Sequence, residues 1–446
     1  MNFPFTLQSP PEHAGKLPSS TDVVVIGAGI IGIMTAWELA KSGLRVVVLE
    51  KGRVAAEQSS RNWGWIRSQG RDAAELPIMA EAAAMWQQFA RDVPEDIGLR
   101  QTGVAYLAAK PAEIARYEEW LPNAREHGLS SRVLTSKQTA HLLPQAATTW
   151  AGALWTESDM RAEPWVALPA LARAAVRDGV QIIERCAVRS LDIAGGKVAG
   201  VVTEMGRIAA PEVVLAGGAW SQLFLRKHGI TIPQLSVRAT VAATEALPDV
   251  YKGGAVDNRL AWRRREDGGY TLAPSGFHEL YIGPDAFRAL RGYAKPLLAD
   301  PLGTRLLPAA PKGFPDAWGT KRHWAADEVS PFEKMRILDP APNKAKVAKL
   351  ARDFAATFPM VGEVKIKAAW AGMIDTMPDV VPVVDRAPLD GLTVATGMCG
   401  HGFGIGPAFG RIIARMVRGE AAGYDMRRFR FNRFTDGSTL VLGPNL

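Results

Sequence analysis

The hydrophobic positions of this chain begin as one dense block. Val23-Val24-Val25-Ile26 is an unbroken β-branched run, the pattern of a strand buried on both faces. It leads into Gly27-Ala28-Gly29-Ile30-Ile31-Gly32, a G-x-G-x-x-G turn. A helical stripe follows, with Met34, Trp37, Leu39 and Ala40 on its packing side and Gly43 as its stop. Arg45-Val46-Val47-Val48-Leu49 predicts a second strand with Glu50 at its end. In such a βαβ unit Gly27 permits the tight turn, Gly29 lets backbone approach a pyrophosphate, and Gly32 lets helix and strand pack closely. The helix start offers free N–H groups to phosphates. Glu50 can accept from both ribose hydroxyls and disfavours a 2′-phosphate.

Further along, apolar residues at 78, 79, 82, 85, 86 and 89 predict a helix over 78–90, and 114–121 reads as another. After Pro164, the stripe Trp165, Leu168, Leu171, Ala172 and Ala175 predicts a helix that Gly179 stops. Strands are expected at 180–183 and 188–192, then at 198–203 after the Gly195-Gly196 turn. Glu212-Val213-Val214-Leu215-Ala216 reads as a buried strand running into Gly217-Gly218. From about Gln234 to Pro359 strand-like runs (238–244, 270–272) mix with Pro-rich and aromatic segments, before a helical stripe at Val347, Leu350, Ala351, Phe354 and Phe358. Leu392–Thr396 is a last strand, followed by Gly397-Met398-Cys399-Gly400-His401-Gly402-Phe403-Gly404 and a helix over 408–417 with Pro407 in its first turn.

Nucleotide-type elements therefore stand at the start, middle and end of the chain. A binding domain interrupted by another domain points to FAD rather than a nicotinamide dinucleotide. The expected fold is α/β, a discontinuous Rossmann-like FAD-binding domain (21–75, 146–233, 360–425) with an inserted α+β substrate domain (76–145, 234–359). Residues 1–20 form an extended arm and 426–446 a tail. The late Gly-rich junction would aim a helix N-terminus at the flavin's N1–C2=O edge, stabilising an anionic reduced ring.

Length and composition narrow this picture. The 446 residues suggest about two to three domains, and 47% hydrophobic with 22% charged residues is ordinary for a globular protein. Two distant cysteines, Cys186 and Cys399, make neither a C-x-x-C pair nor a zinc pattern, so no metal is expected and a reducing cytoplasm is the default. The first twenty residues are polar, contain four prolines and lack the apolar core of a signal peptide. No apolar run is long enough to span a membrane. A net charge of +8 leaves anionic lipid, nucleic acid or acidic substrates open as partners.

The stretch Val23 to Glu50, the run Glu57-Gln58-Ser59-Ser60-Arg61 and the turn Gly400-His401-Gly402-Phe403 resemble the D-amino-acid oxidase superfamily of flavoproteins, of glycine oxidase type. Within it the chain looks most like the bacterial L-amino acid deaminases. That likeness rests on Glu57 to Arg61, His323-Trp324, Ser330-Pro331-Phe332-Glu333-Lys334 and Arg433-Phe434, and covers roughly 22–434. The resemblance implies noncovalent FAD and oxidation of an amino acid at Cα. The cysteine that tethers flavin in sarcosine oxidases matches Gly372 here, so no tether is expected at that position. The deaminases' carboxylate-binding arginine falls on Arg263, with Arg264 as the alternative, and a guanidinium suits an α-carboxylate.

Two pocket positions depart from the deaminases. Their glutamine after Ser-Ser-Arg aligns with Trp65, and a tryptophan aligns with Met398. The deaminases carry an N-terminal membrane helix, for which no counterpart is expected here. Their insertion is thought to touch lipid, and its counterpart near 284–330 carries Leu297-Leu298, Leu306-Leu307, Phe314 and Trp318. The expected catalytic residues are Arg263 and His401, and Trp262, Trp65 and Met398 should join Arg263 in binding substrate. For His401 the readings are a proton carrier, a flavin-edge contact or simple packing. Cofactor contacts are expected from Gly27, Gly29, Ile30, Ile31, Gly32, Glu50 and Lys51, and from Ser59, Ser60 and Arg61. Val188, Gly217, Gly218 and Trp220 should add to them from mid-chain, and Gly400, His401, Gly402, Phe403 and Gly404 near the end.

The expected reaction moves hydride from Cα to flavin N5, after which the imino acid hydrolyses to a 2-oxo acid. Oxygen, or a quinone or other membrane carrier, would take the electrons, with possible peripheral contact at the inner membrane. Alternatives are an oxidase or dehydrogenase of N-substituted or D-amino acids, a flavoprotein acting on modified tRNA bases, and a non-enzymatic flavin-binding protein. The tail Arg427-Arg428-Phe429-Arg430-Phe431 interleaves charge and aromatics as nucleic-acid binders do. The deaminase likeness favours a docked tail and no nucleic acid.

Overall fold

Val23–Ile26 is the hub of a six-stranded sheet in a computed structural model that describes residues 3–8, 10–276, 278–299 and 303–443. The strand order is Val383–Arg386, Leu392–Thr396, Glu212–Leu215, Val23–Ile26, Val46–Leu49, Gln181–Ile183. All neighbours are parallel except the first pair. The β-branched run is explained by cover on both faces. Val23 and Val25 face the helices Ile30–Lys41, Pro164–Arg177 and Gly402–Val417. Val24 packs the other way, toward the antiparallel strands Val188–Ala194, Lys197–Thr203 and Gly206–Ala209.

Glycine sets the closest approaches. Gly27 has φ +104°, and a Cβ on Gly32 would lie 1.9 Å from the Gly27 carbonyl oxygen. Helix Gly402–Val417 starts six residues before the expected 408, so Pro407 sits inside it rather than in its first turn. The longer helix places Gly406 and Gly410 against helix Ile30–Lys41. A Cβ on Gly410 would stand 2.5 Å from the Met34 Cβ, and one on Gly406 2.7 Å from Ile30 Cγ1. Helix Leu76–Asp92 packs across the same helix, where Trp86 Nε1 donates to the Gly404 carbonyl at 2.9 Å.

A second, mixed sheet holds ten strands. Its longest pairing joins Leu235–Thr244 to Ile366–Thr376 along their whole lengths, and Gly152–Thr156 lies between Val104–Ala108 and Ser131–Thr135. Two expected domain edges therefore move. Ile366–Thr376 and Gly152–Thr156, assigned by sequence to the nucleotide domain, build the other sheet, because their apolar alternation is met by partners from 104–135 and 235–244. Helix Lys344–Thr357 covers that sheet through Leu350 and Phe354, beside Trp262 and Tyr270.

The tail docks on the protein. Phe429 is buried against Phe409, and Arg433 donates to both oxygens of Asp379, at 2.8 and 3.0 Å. In the stretch expected to meet lipid, residues 300–302 lie outside the described residues. Phe314 is buried there, while Leu298, Leu306 and Trp318 are exposed, as are Phe287 and Leu290 of helix Pro284–Ala299.

Candidate active site

The carboxyl ends of Val23–Ile26, Val46–Leu49 and Glu212–Leu215 open into a cavity of about 600 Å³, walled on its other side by Tyr106, Thr240, Val256 and Pro274 of the ten-stranded sheet. Parallel strands end here because each runs into a turn, and the ligand edge of such a sheet lies outside those ends.

One end of the cavity suits a dinucleotide. Gly27, Gly29, Ile30 and Ile31 line it. The Ile30 N–H donates to Ser59 Oγ at 2.9 Å, so a side chain from the 57–61 segment sits at the helix start. Glu50 lines the same end and accepts from the Ala28 N–H at 2.9 Å and the Gly52 N–H at 2.7 Å. Burial pushes its carboxyl up to about 7, against the pull of Lys51 and these two N–H groups. Lys51 lines it too, with Nζ 2.5 Å from Glu57 and 4.4 Å from the Trp220 ring centre. Val188, Gly217, Gly218 and Trp220 complete this part of the wall, and Gly400, His401, Gly402 and Phe403 border it at the start of helix Gly402–Val417. A cleft with two helix starts, glycines where a Cβ would collide and a carboxylate at the strand end fits a dinucleotide such as FAD.

Several expected contacts lie behind the wall. Gly32 serves the helix–strand packing described above. Gly404 lies under Trp65 and Arg71, where a Cβ would be 3.3 Å from Arg71 Nη2. Ser60 is buried and its carbonyl accepts from Trp165 Nε1 at 2.8 Å. Arg61 borders the cavity, but its guanidinium is anchored to the Ala56 carbonyl at 3.0 Å, the Ala371 carbonyl at 2.8 Å and Asp339 at 2.5 Å, with the Phe3 ring stacked on it.

The expected carboxylate clamp is corrected. Arg263 does not line the cavity and is 2% exposed. Its Nη1 and Nη2 grip Glu163 at 2.7 and 3.1 Å, and its Nε donates to the Trp63 carbonyl at 2.6 Å. Burial raises the Glu163 carboxyl, but Arg263, the Glu266 N–H and Arg161 together hold the group below the usual range. Every edge of the fork is committed to the chain itself. Trp262 is also displaced, into the core against Phe354 and Phe358. Arg264, the alternative clamp, donates to the Leu247 carbonyl at 2.9 Å and does not border the cavity.

Trp63, Trp65 and Met398 do line the cavity, as do Arg67 and Arg71. Arg67 stands over the Tyr106 ring at 5.5 Å and donates from Nη1 to the Gln69 carbonyl; its other guanidinium nitrogens make no hydrogen bond among the described residues. Sequence reasoning missed Arg67, although alternation in the strand Trp65–Ile66 puts Arg67 on the Trp65 side. Asp159, whose carboxyl burial pushes up to about 7, accepts from the Ser68 N–H at 2.7 Å and fixes the turn that carries Arg67. Asp375 borders the cavity and pins the opposite turn by accepting from the Gly397 N–H at 2.7 Å. Among the described residues no group of three or more His, Cys, Asp or Glu is placed to hold a metal.

Fold and cleft together define a dinucleotide-binding oxidoreductase. The sequence profile of the DAO family, described as FAD dependent oxidoreductase, matches residues 22–416, and the chain belongs to that family. The L-amino acid deaminase from Proteus myxofaciens, solved in complex with anthranilate, superposes with a TM-score of 0.91 at 30% identity, covering 96% of this chain and 97% of that one. The sarcosine oxidase subunit beta of Rhizobium meliloti is 25% identical over 423 residues, 93% of this chain and 89% of that protein. Mouse mitochondrial sarcosine dehydrogenase is 29% identical over 282 residues, and the match spans 59% of this chain but only 30% of that protein.

Arg263→Met tests the corrected assignment. Removing this bidentate partner leaves Glu163 with the Glu266 N–H at 3.0 Å and Arg161 at 3.7 Å, and should cost about 1–3 kcal/mol of folding stability, read as an earlier urea midpoint, which adding Glu163→Gln should partly recover. A variant of unchanged stability but weakened substrate binding would restore Arg263 as the clamp.

Proposed function

We propose that the chain oxidises an amino acid at Cα using noncovalently held FAD, in the manner of an L-amino acid deaminase. The observation that carries this reading is Arg67, a guanidinium with unused donors beside an aromatic wall, in the same cavity as the dinucleotide end. The high similarity to the Proteus deaminase supports it. Bound FAD would supply the hydride acceptor for the Cα–H bond. The imino acid so formed hydrolyses to a 2-oxo acid and ammonia.

The chain's own residues divide the remaining work. Glu50 would hold the ribose hydroxyls, and the start of helix Ile30–Lys41 with Ser59 would hold the pyrophosphate. The start of helix Gly402–Val417 would offer N–H groups and a partial positive charge to the bound cofactor. Arg67 clamps the α-carboxylate, and Trp63, Trp65 and Tyr106 exclude water from around it, which strengthens the pairing. Noncovalent binding is supported at both cysteines. Cys186 is buried away from the cavity, and burial pushes the Cys399 thiol well above its usual range while its Sγ donates to the Gly397 carbonyl. Position 372 has no thiol, and a Cβ there would lie 3.2 Å from Arg61 Cβ.

A second reading, oxidation of an N-substituted amino acid, is favoured by the position of Trp65 and Met398. Both depart from the deaminase pattern and both line the cavity, and the sarcosine oxidase and dehydrogenase relatives carry that substrate in their names. For the electron acceptor we favour a quinone or membrane carrier over oxygen. The exposed Phe287, Leu290, Leu298, Leu306 and Trp318, with a net charge of +8, suit contact with an anionic lipid surface. No helix of the described residues is long and apolar enough to cross a membrane.

Acid precipitation should release FAD into the supernatant, whereas colour retained in the pellet would mean a covalent link. Because ribose hydroxyls donate to the ionised carboxylate of Glu50, whose free-site value is about 7, cofactor affinity should rise from pH 6 to pH 8. Glu50→Gln should flatten that rise.

Anaerobic flavin bleaching by a panel of L-, D- and N-methyl amino acids decides the substrate class, and failure of all of them would defeat the reading. With the best substrate, Arg67→Ala should weaken binding by about 2–5 kcal/mol, with flavin content unchanged. An unaltered apparent affinity would remove Arg67 as the clamp.

Binding to anionic vesicles should decline as salt rises, and reoxidation by a soluble quinone should outpace that by oxygen. Rapid stoichiometric hydrogen peroxide without vesicle binding would mark a soluble oxidase instead.

A further inference from the structure

Behind the cavity wall, two helix starts meet at one buried charge cluster. Glu75 precedes helix Leu76–Asp92, and His401 precedes helix Gly402–Val417. Glu75 is 0% exposed, and neither carboxylate oxygen has a hydrogen-bond partner among the described residues. Its Oε2 stands 3.5 Å from His401 Nδ1, which is likewise buried without a partner, and its Oε1 stands 3.7 Å from Arg71 Nη1. Arg71 Nη1 is also buried without a hydrogen-bond partner among the described residues and faces Oε1, which leaves Oε2 to His401. Arg71 Nε donates to the Arg67 carbonyl at 2.7 Å and its Nη2 to the His401 carbonyl at 3.2 Å.

A fully buried carboxylate with no hydrogen bond is costly, and one short donor removes most of that cost. The nearest donor that can close the gap is an N–H at His401 Nδ1. That proton fixes the tautomer. Nδ1 then carries hydrogen, and Nε2 becomes the lone-pair acceptor of a ring that borders the cavity.

We propose that Glu75 is a positioning residue that holds His401 as the Nδ1–H tautomer, so that His401 Nε2 accepts the proton an α-ammonium group must lose before its Cα–H bond can break. The proposal rests on the amino acid reading above. In the step, the substrate N–H bond breaks and an Nε2–H bond forms. No electrons are transferred, the substrate nitrogen becomes neutral, and the imidazolium charge is met by Glu75. The groups facing the ring support this balance. Burial depresses His401 below the usual imidazole range, so it enters neutral; Glu75 pulls it up, while Arg71 and Arg67 push it down. Burial also acts to raise the Glu75 carboxyl, but His401 and Arg71 together hold it below the usual range, keeping it ionised.

Two measurements on the flavin-loaded protein test the proposal. Ring-nitrogen NMR of 15N-histidine-labelled protein, with the His401 signals assigned by their loss in His401→Asn, should show Nδ1 protonated and Nε2 as acceptor. Glu75→Gln should disturb that pattern. In anaerobic bleaching against pH, Glu75→Gln should move the acid limb of the wild-type profile to lower pH, because the charge that raises His401 is gone. The same variant should slow bleaching at pH 7 by about tenfold or more, and His401→Asn should leave only the dependence on the substrate's own amine. An Nε2–H tautomer, or variants with unmoved profiles and rates within about twofold of wild type, would overturn the proposal. If no amino acid bleaches the wild-type flavin, the substrate reading and the proton transfer fall together, while the NMR pattern still decides the Glu75–His401 contact. If amino acids bleach every variant alike, only the proposal falls.

Discussion

The crossing of helices Ile30–Lys41 and Gly402–Val417 is the contact on which the rest depends. The two segments are separated by most of the chain, yet Gly406 and Gly410 let one backbone rest on Ile30 and Met34 of the other. The reward is geometric as much as energetic. Two helix starts, each with unsatisfied N–H groups, come to border one cavity from different stretches of sequence. Side chains at 406 or 410 would push the helices apart in a core that has little room to give. The glycines therefore align the two ends of the binding cleft.

Electrostatic pairing sorts the arginines of the cleft by role. Arg263 and Arg61 look like ligand-binding groups by sequence, but both are used to tie distant segments together: Arg263 joins Glu163 to the Trp63 loop, and Arg61 joins the 56–61 segment to Ala371 and Asp339. Arg67 and Arg71 are held by fewer partners and border the cavity. A guanidinium tied into the protein at several points stiffens a wall. One with donors in reserve can meet an anion that arrives later.

Much of the nucleotide fold was legible because its signals are local. A β-branched run, a glycine turn and a terminal carboxylate sit within about thirty residues, and Leu392–Thr396 matches its expected bounds. The last helix starts earlier than the pattern predicts because Gly402, Gly404 and Gly406 suggest a turn by propensity, and packing against Ile30 overrides that preference. By composition Trp262-Arg263-Arg264-Arg265 is a charged stretch, but its first three residues lie in the interior strand Leu260–Arg264 with Arg265 just past its end, and Arg263 and Arg265 are buried by partners from 163 and 244. Nothing local reports Glu163 one hundred residues away. The Glu75–His401 pairing is invisible for the same reason, since it exists only once two helix starts converge.

The order of strands in the six-stranded sheet carries a consequence for biogenesis. Its central strand is made first, but the neighbour at Glu212–Leu215 comes much later, and Leu392–Thr396 later still. The cavity's last border, at Gly400 to Phe403, is synthesised after nearly all of the rest. During synthesis the first βαβ unit must wait with its apolar faces uncovered, a state in which a chain is prone to associate wrongly. A ligand that touches both the first turn and the last helix would bind only the finished chain, and so would draw the late-closing segments into place. Supply of that ligand would then govern how much of the newly made protein reaches its folded form.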